Sequence, residues 1–300
     1  MSRPELRWVV GDGEPQALGS WLERHAPESA SSLADGRVFV DGKRVTDAAF
    51  PLARGNRVEL YAPRQIQADL RLLARFEGLI AVDKPAGIAT EPDHSGIAGS
   101  VVARAAELVG VGSQELHAIS RLDVGVSGVV LLTLDRSAGR RVQALREAGR
   151  LRRRYVAIAS AAPNPTEGTW DAPIGRDRGN RRSAFGRNPE PAATHYRVTS
   201  RAGSAALLAL EPVTGRTHQL RVHAAHAGCP LYGDPTYGGP KRVVQPSGAV
   251  LTLRRIALHA AWVELPFFGG VRVESALPAA LQELWSALTG KAGELASALE

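Results

Sequence analysis

The chain has 300 residues, enough for one large domain or about two ordinary ones, and 44% are hydrophobic with only 5% aromatic, so a core must be built mainly from Val, Leu, Ala and Ile. Lys and Arg outnumber Asp and Glu by 37 to 30, giving +7, mostly from arginine, a balance that suits a polyanionic partner. The single cysteine, Cys229, excludes an intrachain disulfide. With no signal-like N-terminus and no run of roughly 20 apolar residues, a cytoplasmic location away from membranes is expected.

In chain order, residues 16–26 place Leu18, Trp21, Leu22 and His25 at helical spacing. Two short strands flank Asp41-Gly42, a pair suited to a tight hairpin turn. A turn over 51–56 leads to a strand at 57–61, and a linker is expected at Ala62-Pro63-Arg64-Gln65. This gives a small module at 12–62 and a large one at 68–290. The large module opens with the strand Leu79-Ile80-Ala81-Val82-Asp83, followed by a helix over 97–109. Val129 to Leu134 reads as a buried strand, and Ser137 is placed to cap a helix reaching Ala148. Strands follow at 154–160 and 205–210. Thr217 is placed to cap a helix over 218–227, with Gly228 as its stop. Strands near 251–264 and 271–274 precede a helix over 279–288. Strands and helices mix without strict alternation, so the expected fold class is α+β around a mixed, largely antiparallel central sheet flanked by helices.

Two segments carry chemistry. The first is Arg121-Leu122-Asp123-Val124-Gly125-Val126-Ser127-Gly128, a carboxylate in a glycine-containing loop ahead of a buried strand. Taken alone, Asp123 reads more simply as a turn residue bonding nearby amides. A serine-hydrolase elbow is excluded at Ser127, because position 129 is Val where that motif needs Gly. The second is Pro212 to His223, a turn entering a helix, where free amides, Arg216 and Arg221 suit an anion. His218, His223 and His226 invite a metal reading. Helical spacing rotates His218 away from the other two, and no acidic or cysteine ligand is near in sequence, so no metal is expected.

These segments, with others, form an ordered set. Leu79 to Gly87, Arg121-Leu122-Asp123 with Ser127-Gly128, Arg154-Tyr155-Val156-Ala157, Thr214 to His223, Leu231 to Gly238 and Leu258-His259-Ala260 run through most of residues 70–265. Together they resemble the RluA-type RNA pseudouridine synthases. Two positions depart from that pattern: Ser120 stands where members usually have His, and Val126 where they usually have Thr.

The resemblance implies an isomerase that converts uridine to pseudouridine in structured ribosomal or transfer RNA without a cofactor. It implies Asp123 as nucleophile, Arg221 as its ion-pair partner, Tyr155 stacked on a flipped base, and Arg121 filling the space that base leaves. Arginine clusters are expected on the RNA backbone: Arg152, Arg153 and Arg154, then Arg178, Arg181 and Arg182, with Arg216. The N-terminal module is similar in layout to an S4 RNA-binding domain, although residues 27–35 carry no Lys or Arg where such modules are usually basic. A monomer is expected. The competing expectation is a non-catalytic RNA-binding protein on the same scaffold.

Overall fold

A computed structural model describes residues 4–14, 17–64, 69–179, 181–245, 247–291 and 293–300. Gln16 and the linker residue Gln65 lie outside them. The chain forms two compact units, Met1–Asp69 with Ile88–Leu116, and Leu70–Gly87 with His117–Glu300. The division differs from a single boundary near 62–68, because the segment 88–116 packs with the N-terminal unit.

The first unit holds β1 (Leu6–Val9), α1 (Leu18–His25), β2 (Val38–Val40), β3 (Lys43–Arg44), β4 (Arg57–Leu60) and α2 (Val101–Val109). Its sheet has the order β1-β4-β2-β3. Leu18, Trp21 and Leu22 of α1 are buried, at the spacing that brings them to one helix face, in a cluster with Val38, Val58 and Leu60. Asp41 and Gly42 take positive φ of 48° and 78°, as the β2–β3 hairpin requires. Helix α2 starts later than its sequence suggests. Ser100 caps it by accepting from the Ala103 amide at 3.2 Å, and residues 97–100 form the preceding turn.

The second unit is organised by one ten-stranded sheet. Its elements are β5 (Arg71–Phe76), β6 (Leu79–Lys84), β7 (His117–Ala118), β8 (Ser127–Thr133), α3 (Arg136–Glu147), β9 (Arg153–Ala159), β10 (Glu167–Trp170), β11 (Ile174–Arg176), β12 (Arg182–Ala184), β13 (Arg187–Glu190), β14 (Thr194–Ala202), β15 (Ala205–Pro212), α4 (Gln219–His226), β16 (Arg242–Val244), β17 (Val250–Thr252), β18 (Leu258–Leu265), β19 (Val271–Glu274), α5 (Ala279–Ala287) and α6 (Glu294–Ser297). The strand order is β10-β14-β15-β9-β18-β8-β6-β5, with β19 on β18 and β7 on β8. Only β8 with β18 runs parallel among the described pairs, so the sheet is mixed and largely antiparallel. Strands β11, β12 and β13 form a separate small sheet.

Burial follows the apolar pattern. Leu281, Leu284 and Trp285 of α5 join Val156, Ile158, Leu207 and Trp262 in one cluster, while Val142 of α3 joins Leu79, Ala81, Val129 and Leu131 in another. Ser137 does not cap α3. Asp135 does, accepting from the amides of Ser137 at 2.9 Å and Ala138 at 3.4 Å. The sequence reading passed over β10 to β14. Strand β14 alternates buried Thr194 and Tyr196 with exposed His195 and Arg197, and its place is set by pairing with β15 more than by its own apolar content.

The parallel β8–β18 seam fixes the end of the first chemical segment, Ser127-Gly128. Gly128 faces Ala260 with φ 117°, and a β-carbon there would lie 2.1 Å from the Ala260 carbonyl oxygen. Beside it Ser127 Oγ accepts from Arg255 Nη2 at 2.8 Å and donates to His259 Nδ1 at 2.8 Å. His259 Nε2 donates to the Ser275 carbonyl at 3.1 Å, and Ser275 Oγ donates to Asp83 Oδ1 at 2.7 Å. These bonds assign the neutral Nε2–H tautomer. Burial pushes the imidazole down to about 4, against the opposing pull of the Ser275 carbonyl.

Two outcomes follow for stability. Gly128→Ala should lower the denaturation free energy by on the order of 3 kcal/mol, because no rotamer change removes a backbone clash; a denaturant midpoint equal to the wild type's would contradict the seam. For His259, the folded value lies below the unfolded 6.5. Its contribution is therefore complete above that value and is lost as pH falls toward 4, at about 1.4 kcal/mol per unit, or about 3 kcal/mol in all. Denaturation at about pH 7 and about pH 4 should show wild type losing that much more than His259→Gln. Equal losses would contradict it.

Candidate active site

The loop that carries Asp123 joins β7 to β8 and is tied down by backbone bonds from several directions. Lys84, fully buried at the end of β6, donates from Nζ to the carbonyls of Val126 (2.6 Å), Asp123 (3.1 Å) and Pro85 (3.2 Å). A buried ammonium needs such acceptors, and carbonyls facing it need such a donor, so each side holds the other. The Gly87 amide donates to the Val124 carbonyl at 2.6 Å, and the Ile256 amide to that of Gly125 at 3.0 Å. Ser120 Oγ accepts from the Leu131 amide at 2.9 Å, so this departure from the family pattern serves as a loop anchor. Val126, the second departure, is 2% exposed and packs as a core residue.

Asp123 does occupy a tight turn, with the Val126 amide donating to its carbonyl at 3.0 Å. Its carboxylate instead reaches α4, which lies 98 positions further along the chain. Arg221 Nη1 donates to Asp123 Oδ2 at 2.7 Å. The other side of the same guanidinium grips Asp234: Nε donates to Oδ2 at 2.7 Å and Nη2 to Oδ1 at 2.8 Å. Asp234 is 0% exposed and Arg221 6%. The Tyr237 ring lies 4.8 Å from the guanidinium carbon. Burial opposes the arginine's charge, but the Asp234 hydrogen bonds and the Asp123 charge outweigh it and raise its proton affinity above the ordinary value.

Helix α4 is positioned differently from expectation. Thr217 makes no cap. The N-cap is His218, in the left-handed region at φ 59°, without a side-chain cap bond. Buried Gln219 does the stapling: its Oε1 accepts from the Arg216 amide at 2.9 Å and from Thr214 Oγ1 at 2.6 Å, and its Nε2 donates to the Ala193 carbonyl at 2.9 Å. His218 Nδ1 and Tyr237 Oη share a hydrogen bond of 2.8 Å, leaving Nε2 3.8 Å from Asp123 Oδ1. Burial lowers the imidazole's proton affinity, while the Asp123 charge pulls the other way.

Tyr155 sits within β9, in register with Leu210 and Ala260. Burial raises its phenol pKa, the Arg153 charge opposes this, and the Asp123 charge adds to it. Among the three expected catalytic residues, Asp123 and Arg221 are in direct contact, and Tyr155 lies within electrostatic reach of Asp123. His223 is buried between Thr194 Oγ1 and the Ala172 carbonyl, each at 2.9 Å. Among the described residues, no three His, Cys, Asp or Glu side chains are grouped to hold a metal ion.

The expected RNA-contact arginines divide. Arg121 is exposed on the Asp123 loop. Arg181 lies 5.5 Å from the Tyr237 ring, and the Arg182 amide donates to Tyr237 Oη at 3.1 Å, so the β11–β12 turn with exposed Arg178 borders the site. Arg216 is exposed and pairs with Glu190 at 2.8 Å. Arg152 is exposed and pairs with Glu264 at 3.0 Å. Arg154 departs from expectation: it is buried, donates to Glu211 Oε1 at 2.6 Å and to the Glu300 carbonyl at 3.0 Å, and has no face left for phosphate. Arg153 likewise holds the turn before α4, donating from Nη2 to the carbonyls of Pro212 (2.8 Å) and Thr214 (2.9 Å).

Sequence reasoning did not assign Lys84, Asp234, Tyr237 or His218 to the site. All four stand inside the ordered blocks, and Asp234 offered a signal: an acid between Gly233 and Pro235, thirteen positions from an arginine that needs partners for its whole fork.

Comparison with known proteins identifies the family. The family model described as RNA pseudouridylate synthase matches residues 78–226. An uncharacterized RNA pseudouridine synthase of Chloroflexus aurantiacus is 35% identical over 245 residues, covering 78% of this chain and 75% of its own. A ribosomal large subunit pseudouridine synthase D of Xanthomonas campestris pv. campestris is 34% identical over 253 residues, covering 78% and 74%. The solved structure of human RNA pseudouridylate synthase domain containing 4 superposes with a TM-score of 0.57 at 26% identity, over 73% of this chain and 93% of that one. The chain belongs to the RluA-type RNA pseudouridine synthases, isomerases that modify RNA.

Proposed function

We propose that this chain isomerises particular uridines in structured ribosomal or transfer RNA, with Asp123 as the nucleophile. The observation that carries this is the Arg221 fork, which binds the Asp123 carboxylate on one side and buried Asp234 on the other. A free carboxylate in a turn is chemically unremarkable. One held by a directed hydrogen bond from a buried guanidinium is fixed in orientation, and a positioned carboxylate is a usable nucleophile.

The reaction conserves atoms. The N1–C1′ bond breaks, the uracil turns, C5 bonds to C1′, C5 loses its proton and N1 gains one. No donor, acceptor or redox partner is consumed. A stacked uridine is inaccessible to Asp123, so the base must leave the helix. Arg121, exposed on the same loop, is suited to fill the vacated space, and Tyr155 to stack on the extruded base and assist loss of the C5 proton. Arg178, Arg181 and Arg182 on one side, with Arg216 and Arg152, supply cationic groups for the backbone. The N-terminal unit is proposed as an S4-like module with a weak grip, since residues 27–35 lack Lys and Arg.

Release of tritium from RNA labelled at uracil C5 reads the reaction directly. Wild type should release it from ribosomal or transfer RNA. Asp123→Asn, nearly the same shape, should slow release by at least about 10³-fold while still binding RNA. Retained turnover in this variant would refute the nucleophile. No release by wild type from either RNA pool would refute the substrate assignment.

A further inference from the structure

The short β11–β12–β13 sheet holds features that the isomerisation chemistry does not use. Phe185, in the turn between β12 and β13, is 67% exposed. It also takes φ 56°, a left-handed conformation in which a bulky aromatic is strained and glycine is not. A lone exposed apolar side chain needs no explanation. This one combines exposure with backbone strain, and neither helps the fold. The Phe185 amide donates to the Pro173 carbonyl at 2.8 Å, and His226 of α4 meets the ring nearly edge-on, with centroids 5.8 Å apart. The ring is therefore supported at one side and open to solvent over most of its surface.

Three arginines of this sheet face one another. Arg176 stands directly across from Arg182 on one neighbouring strand and Arg187 on the other. Like charges opposite one another destabilise a sheet. Among the described residues, no carboxylate lies within ion-pair distance of these three. Arg176 and Arg187, with Asn188, line a cavity of about 320 Å³. Unpaired like charges call for an anion, and an open aromatic ring calls for a flat apolar surface. A nucleotide offers both in one unit.

We propose that Phe185 is a stacking platform for an unpaired nucleobase of the RNA, distinct from the reactive uridine, with adjacent phosphates on Arg176 and Arg187. This rests on RNA being the substrate. The platform lengthens the contact beyond the Asp123 loop and fixes which unpaired nucleotide accompanies the target.

The test uses the full chain carrying Asp123→Asn, so binding is read without turnover, and ribosomal and transfer RNA pools as probes. Phe185→Gly relieves the left-handed strain, so its melting temperature should equal or exceed that of the parent. Its RNA affinity should fall roughly 5- to 100-fold, as expected for loss of one base–aromatic stack. Phe185→Trp should bind like the parent, and Phe185→Leu, apolar but not flat, should bind like the glycine variant. Ultraviolet crosslinking should leave a nucleotide on the peptide containing Phe185. Parent-like affinity in Phe185→Gly or Phe185→Leu would overturn the platform. So would loss of self-association in Phe185→Gly with RNA affinity unchanged, which would assign the ring to a second copy of the chain. Tritium release by the chain with Asp123 intact is measured separately, so failure of the isomerase reading and failure of the platform give different results.

Discussion

One guanidinium joins the elements that matter most. Arg221 belongs to α4, Asp123 to the loop before β8, and Asp234 to the turn before β16, and the arginine bonds both acids at once. Asp234 is fully buried and would be costly to leave unpaired. It therefore fixes the guanidinium, and the guanidinium fixes the orientation of the Asp123 carboxylate. A lysine could supply the charge but not three directed donors on two sides. The Tyr237 ring against the guanidinium and His218 beside the carboxylate complete the enclosure.

The sheet makes that bridge possible. Strands β8 and β18 run parallel and close enough that only glycine fits at position 128. Lys84 at the end of β6 gathers carbonyls of the same loop from below, so the loop is fixed through its backbone and its side chains remain available. The buried Ser127–His259–Ser275–Asp83 chain ties β8, β18 and the start of the sheet together behind it. Rigid strands beneath a reactive loop are the usual way to hold a carboxylate to within a fraction of an ångström.

Much of this was legible in the sequence, and the limits have physical causes. The apolar strands β6, β8, β9, β15 and β18 announce themselves because both of their faces are buried. Strand β14 and the arginine-rich strands β11 to β13 do not, since pairing partners far along the chain hold them in place. Asp123 alone looked like a turn residue, and its backbone is one. Only a contact 98 residues away distinguishes it, and no local pattern encodes such a contact. The arginines show the same limit: Arg152, Arg153 and Arg154 are equivalent in composition, yet strand alternation and partners leave the first exposed and bury the last against Glu211. The helix caps slipped for a related reason, because Asp135 and Gln219 bond free amides around these helix starts in place of Ser137 and Thr217.

The arginine surplus in the composition thus serves two purposes, one internal and one facing solvent. Arg154, Arg221 and Arg255 are enclosed and bind carboxylates, carbonyls or a hydroxyl within the fold. Arg121, Arg178 and Arg187 remain exposed on or near the Asp123 loop and the small sheet, where the proposed RNA contacts lie. The central claim is that a directed arginine fork, not charge alone, prepares Asp123. The most direct measurement is the rate of tritium release from C5-labelled RNA by Arg221→Lys at saturating RNA. A loss of about 10²-fold with RNA affinity retained is the predicted result, as for a reactive group displaced by about an ångström. Release at the wild-type rate would contradict it.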